Sequence, residues 1–242
     1  MNDKVRLLGI DVDIASTKTA SDQSIEYMQD ECSKVIYFVN SETLLILQND
    51  AEKSDMFNVC DMVLPGTLSV NESIDNILGS KRDPFFLDSY FDMIFNYAIE
   101  TGSEIQLITG NGEQLSSIQE NIHEKWPYLG FSGVIYDDGK NSLEHMVNEI
   151  NSVAPDILIL ALNEKVQLMV LQDYIKQMNA GLMLFTGNIL YNKAVTEATV
   201  PDSIEKLRIQ NIYKWFRKGD NGRSMFNNIK MRLKLKRDKD EQ

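Results

Sequence analysis

The chain has 242 residues, with 24 Lys and Arg against 36 Asp and Glu, a net charge of −12, and 43% of its residues are hydrophobic. This balance excludes wholesale disorder and fibrous classes, and the length suits one large domain or two small ones. The acidic excess argues against nucleic acid as a partner, because a phosphate backbone repels such a surface.

The first half of the chain contains strands and helices in alternation. Short apolar runs predict strands, helical spacing is visible over residues 16–34, and Asn40 or Ser41 is suited to cap a helix that begins near Glu42. The predicted strands are Val5–Ile10, Val35–Val39 and Met62–Leu64, and Phe85–Glu100 is a predicted helix.

The second half repeats this alternation more regularly. Its predicted strands are Ile105–Ile108, Phe131–Tyr136, Asp156–Leu162 and Leu182–Phe185, and its predicted helices are Gln114–Trp126, Ser142–Asn151 and Lys165–Met178. Strands that alternate with helices of ten or more residues indicate βαβ units. The sequence therefore predicts an α/β fold with a Rossmann-like, mostly parallel sheet flanked by helices.

The basic charge is concentrated at the C-terminus. Residues 208–242 hold 11 basic and 4 acidic side chains, a local charge of +7, whereas residues 1–207 carry −19. We predict an α/β domain over residues 1–207 and a basic helical appendage over residues 208–242. Apolar residues in the appendage recur with helical spacing at Met225, Phe226, Ile229 and Leu233. Such a helix suits an anionic membrane surface or packing on the preceding domain.

Membrane spans, disulfides and secretion are not predicted. The longest apolar run, Ile157–Leu162, is too short to cross a bilayer. No small-residue cleavage site follows the start of the chain, so no secretory signal is expected. Cys32 and Cys60 offer neither a disulfide framework nor a metal-ligand cluster. A reducing, cytoplasmic setting is therefore expected.

Two motifs have residue types that suit phosphate chemistry. Asp11-Val12-Asp13 is a D-x-D pattern that can hold a divalent ion against a diphosphate, although a solvated turn is the favoured interpretation. The turn from Gly110 to Gly112 follows a strand and opens a helix, where backbone amides can approach a phosphate. A plain turn explains this G-x-G equally well. The two histidines, His123 and His145, are interpreted as surface residues.

Several segments, in order and spacing, resemble the WecG/TagA/CpsF family of bacterial glycosyltransferases. The segments that carry the resemblance are Phe38-Val39-Asn40, Cys60–Thr67, Ile105–Gly112, Trp126–Gly133, Ile150–Leu158, Ala161–Leu168 and Tyr213–Arg217. The resemblance implies a protein of cell-surface polysaccharide or teichoic-acid-type synthesis. It implies transfer of an N-acetylhexosamine-type sugar from a UDP donor to a polyprenyl-diphosphate-linked acceptor, at the inner face of the cell membrane.

The resemblance also assigns residues and partners. The donor-binding positions are Asn40, Gly110, Asn111, Gly112 and Gln167, and the positions for the acceptor diphosphate or the membrane are Arg217 and Arg223. The expected partners are a UDP-sugar, a polyprenyl-diphosphate-linked glycan, an anionic membrane surface and a second glycosyltransferase. No cofactor, bound metal or nucleic acid is expected.

The chain departs from the family pattern at the catalytic position. Gly66 stands where the family has the Asp that acts as general base, and Thr67, Phe38 and Leu168 replace other motif residues. Loss of a positioned base typically costs about 10²–10⁴ in rate. The candidate replacement bases are Asp61, Asp137 and Asp138. Two hypotheses remain: an active glycosyltransferase with a relocated base, or a non-catalytic relative that binds nucleotide sugar, lipid-linked glycan or a partner enzyme. A structural subunit of a polysaccharide-assembly complex is a third, plainer interpretation.

Overall fold

A computed structural model describes residues 3–48, 54–79, 82–137, 139–190 and 231. The strands are β1 (Lys4–Leu7), β2 (Ile10–Asp13), β3 (Lys34–Val39), β4 (Met62–Pro65), β5 (Ile105–Thr109), β6 (Phe131–Ile135), β7 (Ile157–Ala161) and β8 (Leu182–Phe185). The α-helices of the described residues are α1 (Thr17–Met28), α2 (Ser41–Leu47), α3 (Leu68–Leu78), α4 (Leu87–Thr101), α5 (Gly112–Lys125), α6 (Leu143–Val153) and α7 (Glu164–Met169).

Six of these strands form one parallel sheet in the order β4-β3-β8-β7-β5-β6. Every residue of β7 and β8, and every residue of β3 except Lys34, is buried, as expected for a parallel sheet with both faces covered. The fold class predicted from the sequence is thus confirmed.

Alternate residues of each central strand face two separate cores. One core, which we call face 1, receives Tyr37 of β3 and buried residues of α2, α6 and α7. The other, face 2, receives Phe38 of β3 and buried residues of α1, α4 and α5. The period of two in a strand sends neighbouring side chains to opposite faces, so every central strand must be apolar at nearly every position.

Three local features differ from the sequence-based expectations. The predicted strand Val5–Ile10 is a hairpin, because Leu8 and Gly9 both adopt positive φ and reverse the chain. Helix α3 was not predicted. The predicted helix Lys165–Met178 is α-helical only as far as Met169. A π turn over Val170–Tyr174 and a 3₁₀ turn over Ile175–Gln177 follow.

The β1–β2 hairpin lies against β4, the outer strand of the sheet. The buried Asp13 carboxylate accepts a hydrogen bond of 2.7 Å from the Val63 amide, while Lys4 lies 3.8 Å away. The other acid of the D-x-D pattern, Asp11, is exposed and paired with Arg6. The two carboxylates therefore have separate structural partners, and Asp13 covers an amide of an edge strand.

Substituting Asp13 with alanine is expected to lower the free energy of unfolding by about 1–3 kcal/mol, because the buried Val63 amide loses its acceptor. Asp11→Ala is the matched control, since an exposed ion pair contributes about 0–1 kcal/mol. Urea denaturation of both variants checks the prediction. Equal losses would contradict the anchoring role of Asp13.

Little of the predicted appendage falls within the described residues. Met231 is helical and fully buried in the face 1 core. The other residues of the appendage, including its proposed apolar positions, lie outside the described residues. In the part of the chain that is described, no helix has the length and apolar character needed to span a membrane.

Candidate functional site

The sheet has a topological switch point between β5 and β7. Helix α5, which follows β5, contributes Ile118 and Ile122 to face 2, whereas α7, which follows β7, contributes Val166 and Leu168 to face 1. The loops after these two neighbouring strands therefore leave the sheet in opposite directions. In open α/β sheets this arrangement creates a crevice at the carboxyl ends of the strands, where ligands bind.

The β5 side of the crevice is the glycine turn found in the sequence. Asn111 caps α5, with its side chain accepting from the Gln114 amide at 2.9 Å. The Gly110 amide donates to Gln114 Oε1 at 3.1 Å, and Gln114 Nε2 donates to Asn188 Oδ1 at 3.4 Å. The Gln114 side chain thus joins the β5 loop to the loop after β8. A Cβ at Gly112 would lie 3.6 Å from Ile135, an ordinary contact, so this position has room for a small side chain.

The β7 side has a buried glutamate. Asn163 caps α7, and Glu164, the first residue of the helix, is 2% exposed. The Glu164 carboxyl contacts Asn40 Nδ2 at 2.5 Å, Thr43 Oγ1 at 2.9 Å and the Tyr37 hydroxyl at 3.2 Å. Burial raises the pKa of Glu164 to about 7, against the opposing effect of the hydrogen bonds from Asn40 and Thr43.

Asn40 serves two roles at the end of β3. Its Oδ1 accepts from the Glu42 and Thr43 amides at 2.8 and 3.0 Å and so caps α2, which decides between the two caps, Asn40 and Ser41, that the sequence offered. Its Nδ2 donates to Glu164. Both ends of the Asn40 amide group are thus engaged within the protein, and it links the first turn of α2 to the first residue of α7.

Gln167 is the unsatisfied group of the site. Its side chain is fully buried, and neither Oε1 nor Nε2 has a hydrogen-bond partner among the described residues. A buried amide without partners costs several kcal/mol, on the order of 1–3 for each unmet group. Gln167 Nε2 and Glu164 Oε1 both approach Gly187, which has a φ of +59°. A ligand or ordered water at this point is the usual means of satisfying such a group.

Gly66, the position that the resemblance aligns with a catalytic Asp, is tightly packed. A Cβ at Gly66 would lie 2.5 Å from Ile189 Cδ1 and 3.1 Å from both Phe38 Cβ and the Val39 carbonyl oxygen. Phe38 is fixed there by ring contacts with Phe85, Tyr90 and Phe91 on face 2. The Phe38 contact is through its Cβ, which any residue except glycine would have, so the side chain that restricts residue 66 is that of Ile189.

The other candidate acids are separated from this position. Asp61 lies at the amino end of β4, where its carboxylate accepts from the Val35 amide at 2.8 Å. Asp137 follows β6, the strand at the far edge of the sheet from β4, and the hydrogen bond from Lys140 lowers its pKa. Asp138, Arg217 and Arg223 lie outside the described residues. The described residues contain no group of three or more side chains suited to hold a metal ion.

Glu164 is the site residue that sequence analysis missed. A glutamate in the first turn of a helix normally faces water and interacts with the helix dipole, so its sequence position gives no signal of burial. The one hint in the sequence is that Glu164 closely follows a completely apolar strand, β7. Its partners come from β3 and α2, more than 120 positions earlier in the sequence.

The sheet order and the switch point between β5 and β7 define a doubly wound α/β protein. The sequence profile of the Glycosyl transferase WecG/TagA/CpsF family matches residues 5–240. The chain therefore belongs to this family of glycosyltransferase-like proteins of cell-surface polysaccharide synthesis. A search of curated proteins found no match to the chain.

Proposed function

We propose that the protein transfers an N-acetylhexosamine-type sugar from a UDP donor to a polyprenyl-diphosphate-linked acceptor. The observation that carries this proposal is the buried, unpaired Gln167 amide at the carboxyl edge of the sheet. An amide with one acceptor and two donors suits the hydroxyl and acetamido groups of a sugar. The family membership supports the reaction class.

The proposed donor site extends across the crevice. The diphosphate would lie at the N-terminus of α5, near Gly110, Asn111 and Gly112, where the helix dipole favours an anion. The sugar would lie towards Gln167 and Asn40. Arg217 and Arg223 would meet the acceptor diphosphate, since a guanidinium pairs with two phosphate oxygens. In this proposal the basic appendage holds the protein at the cytoplasmic face of an anionic membrane.

A specific observation favours a second function, that of a non-catalytic relative. Gly66 itself offers no carboxylate at the position that the resemblance gives to the base, and a Cβ there would lie 2.5 Å from Ile189 Cδ1 and 3.1 Å from the Val39 carbonyl oxygen. Glu164, the buried acid of the site, is hydrogen-bonded by three side chains. Under this alternative the protein binds a nucleotide sugar or lipid-linked glycan, or supports a second glycosyltransferase, without turnover.

Titration calorimetry with UDP tests the donor site. We expect UDP to bind, Gly112→Ala to bind almost equally well, and Gly112→Leu to bind at least about tenfold more weakly, because a long side chain crowds the phosphate position. The alanine variant is the matched control, since its Cβ makes only an ordinary contact with Ile135. The absence of heat with every uridine nucleotide at millimolar concentration would refute the donor site.

Release of UDP from a UDP-sugar, measured with and without a polyprenyl-diphosphate acceptor, separates the two functions. Release that requires the acceptor supports transfer and directs the search for the base to Asp61, Asp137, Asp138 and Glu164. Donor binding without acceptor-dependent release supports the non-catalytic function.

A further inference from the structure

The Glu164 carboxyl lies at the junction of α2, α7 and the loop after β8. It is 2% exposed and meets three polar side chains, Tyr37 of β3, Asn40 after β3 and Thr43 of α2. Among the described residues no lysine, arginine or histidine pairs with it. An ionised carboxylate here would be a buried charge held by neutral groups alone, which is an unfavourable arrangement.

The number of hydrogen atoms on these side chains indicates the protonation state of Glu164 in which every contact of the cluster is a hydrogen bond. Thr43 Oγ1 has a single hydrogen, yet it lies 2.9 Å from Glu164 Oε2 and 3.2 Å from Asn40 Oδ1, an oxygen that has no hydrogen of its own. Both contacts become full hydrogen bonds if the Glu164 hydroxyl donates to Thr43 and Thr43 donates to Asn40, whereas an ionised Glu164 leaves the single Thr43 hydrogen shared between two acceptors. The Tyr37 hydroxyl and Asn40 Nδ2 then donate to the two Glu164 oxygens.

We propose that Glu164 is a positioning residue of the donor site, which as an uncharged acid holds the Asn40 side chain and the first turn of α2, and releases them when it loses its proton. The part of this inference that concerns the donor rests on the proposed function. The part that concerns α2 stands on the geometry alone.

The groups that face Glu164 reinforce the uncharged state. Glu42 of α2 disfavours the anion by charge repulsion. Tyr37 of β3 is itself fully buried, and its own pKa is raised well above the usual value, so it remains a neutral donor. Thr186 and Gly187, on the side of β8, do not titrate. On its own helix the next residue, Lys165, is exposed.

The cluster is coupled to the unpaired amide of the site. Gln167 Nε2 and Glu164 Oε1 approach Gly187 from the same helix, so a shift of the carboxyl changes the surroundings of Gln167. Loss of the proton leaves a buried negative charge beside Glu42, which is the cost that drives the carboxyl out of the cluster. It also leaves Thr43 Oγ1 and Asn40 Oδ1 as facing acceptors whenever Thr43 donates to Glu164. Release of Asn40 would free the amides of Glu42 and Thr43, which it caps.

Amide exchange read by NMR tests the geometric part in the full chain. We expect the protection of the Glu42 and Thr43 amides, corrected for intrinsic exchange, to fall about tenfold between pH 6 and pH 8.5. The Gln114 amide, capped in the same way by Asn111, serves as the internal control. Glu164→Gln copies the size and lack of charge of the acid and should abolish the pH dependence. Glu144→Gln, an exposed glutamate in the first turn of α6, should preserve it.

UDP titration over the same pH range tests the donor part. We expect wild-type affinity to fall at least about tenfold from pH 6 to pH 8.5 while the Glu164→Gln affinity stays level. The loss of the infrared band of a protonated carboxylic acid in Glu164→Gln would supply an independent signature. Constant protection of Glu42 and Thr43 across the range would overturn the inference. The expected exchange behaviour without UDP binding at any pH would uphold the positioning of α2 and refute the donor site.

Discussion

Replacement of Gly187 by alanine is expected to lower the free energy of unfolding by about 2–4 kcal/mol. The residue has a φ of +59°, and a Cβ there would overlap Glu164 Oε1. The glutamate cannot simply turn aside, because Tyr37, Asn40 and Thr43 hold it in a buried site. Urea denaturation at fixed pH measures the loss.

Gly102→Ala is the matched control for the backbone contribution. Gly102 has a φ of +69°, but no atom lies within 4 Å of its Cβ position, so only the left-handed backbone is penalised, by about 1 kcal/mol. A second comparison combines Gly187→Ala with Glu164→Ala, which removes the overlapping oxygen. The cost of the double variant should be less than the sum of the single costs. Equal losses for Gly187→Ala and Gly102→Ala would contradict the overlap.

Stability should fall with rising pH because of Glu164. Burial raises its pKa from 4.5 to about 7, so between these values the folded state binds a proton that the unfolded state has lost. Its contribution to stability is therefore fully present below about pH 4.5 and is lost as the pH rises through about 7, with a total on the order of 3 kcal/mol. The measurable quantity is the difference in unfolding free energy between wild type and Glu164→Gln across this range.

The expected result is a difference that moves in favour of Glu164→Gln as the pH rises and levels off above about pH 7. Glu144→Gln reports the effect of removing an exposed carboxylate from the same end of a helix. The opposite result would be an unfolding free energy of wild type, relative to Glu164→Gln, that rises with pH or is as independent of pH as the comparison with Glu144→Gln. That result would show that Glu164 is charged in the folded protein.

The sequence predicted the sheet well because parallel strands in the interior have a strong signal. Leu182–Phe185 is predicted with its observed bounds, and Asn40 is placed at the start of α2, since buried runs and side-chain caps are local properties. The β1–β2 hairpin was missed because Leu8, at positive φ, is not a residue that turn preferences select. The end of α7 was missed because the buried residues Leu171 and Ile175 are four positions apart, a spacing that an α-helix also has, so the π and 3₁₀ turns leave no separate signal.

The candidate site was less predictable than the fold. Gly110, Asn111 and Gly112 were found because a glycine turn between strand and helix is visible in the sequence. Three features of the site depend on contacts between distant segments: the enclosure of Glu164, the unpaired state of Gln167 and the close approach of Ile189 to Gly66. Such contacts decide whether a carboxylate is charged, and no single segment contains them.

The place of β3 in the sheet bears on how the protein is made. Ile36 pairs with Leu184, about 150 positions later in the chain, so the middle of the sheet joins one of its earliest segments to one of its latest. During synthesis β3 can pair with β4 soon after both have left the ribosome. The other edge of β3 stays unpaired until β8 has been synthesised. The hydrogen bond between Asn40 and Glu164 joins the residues that follow β3 and β7, the two strands on either side of β8. A nascent chain that stops before β8 would expose two unpaired strand edges, which makes association with chaperones an expected part of its biogenesis.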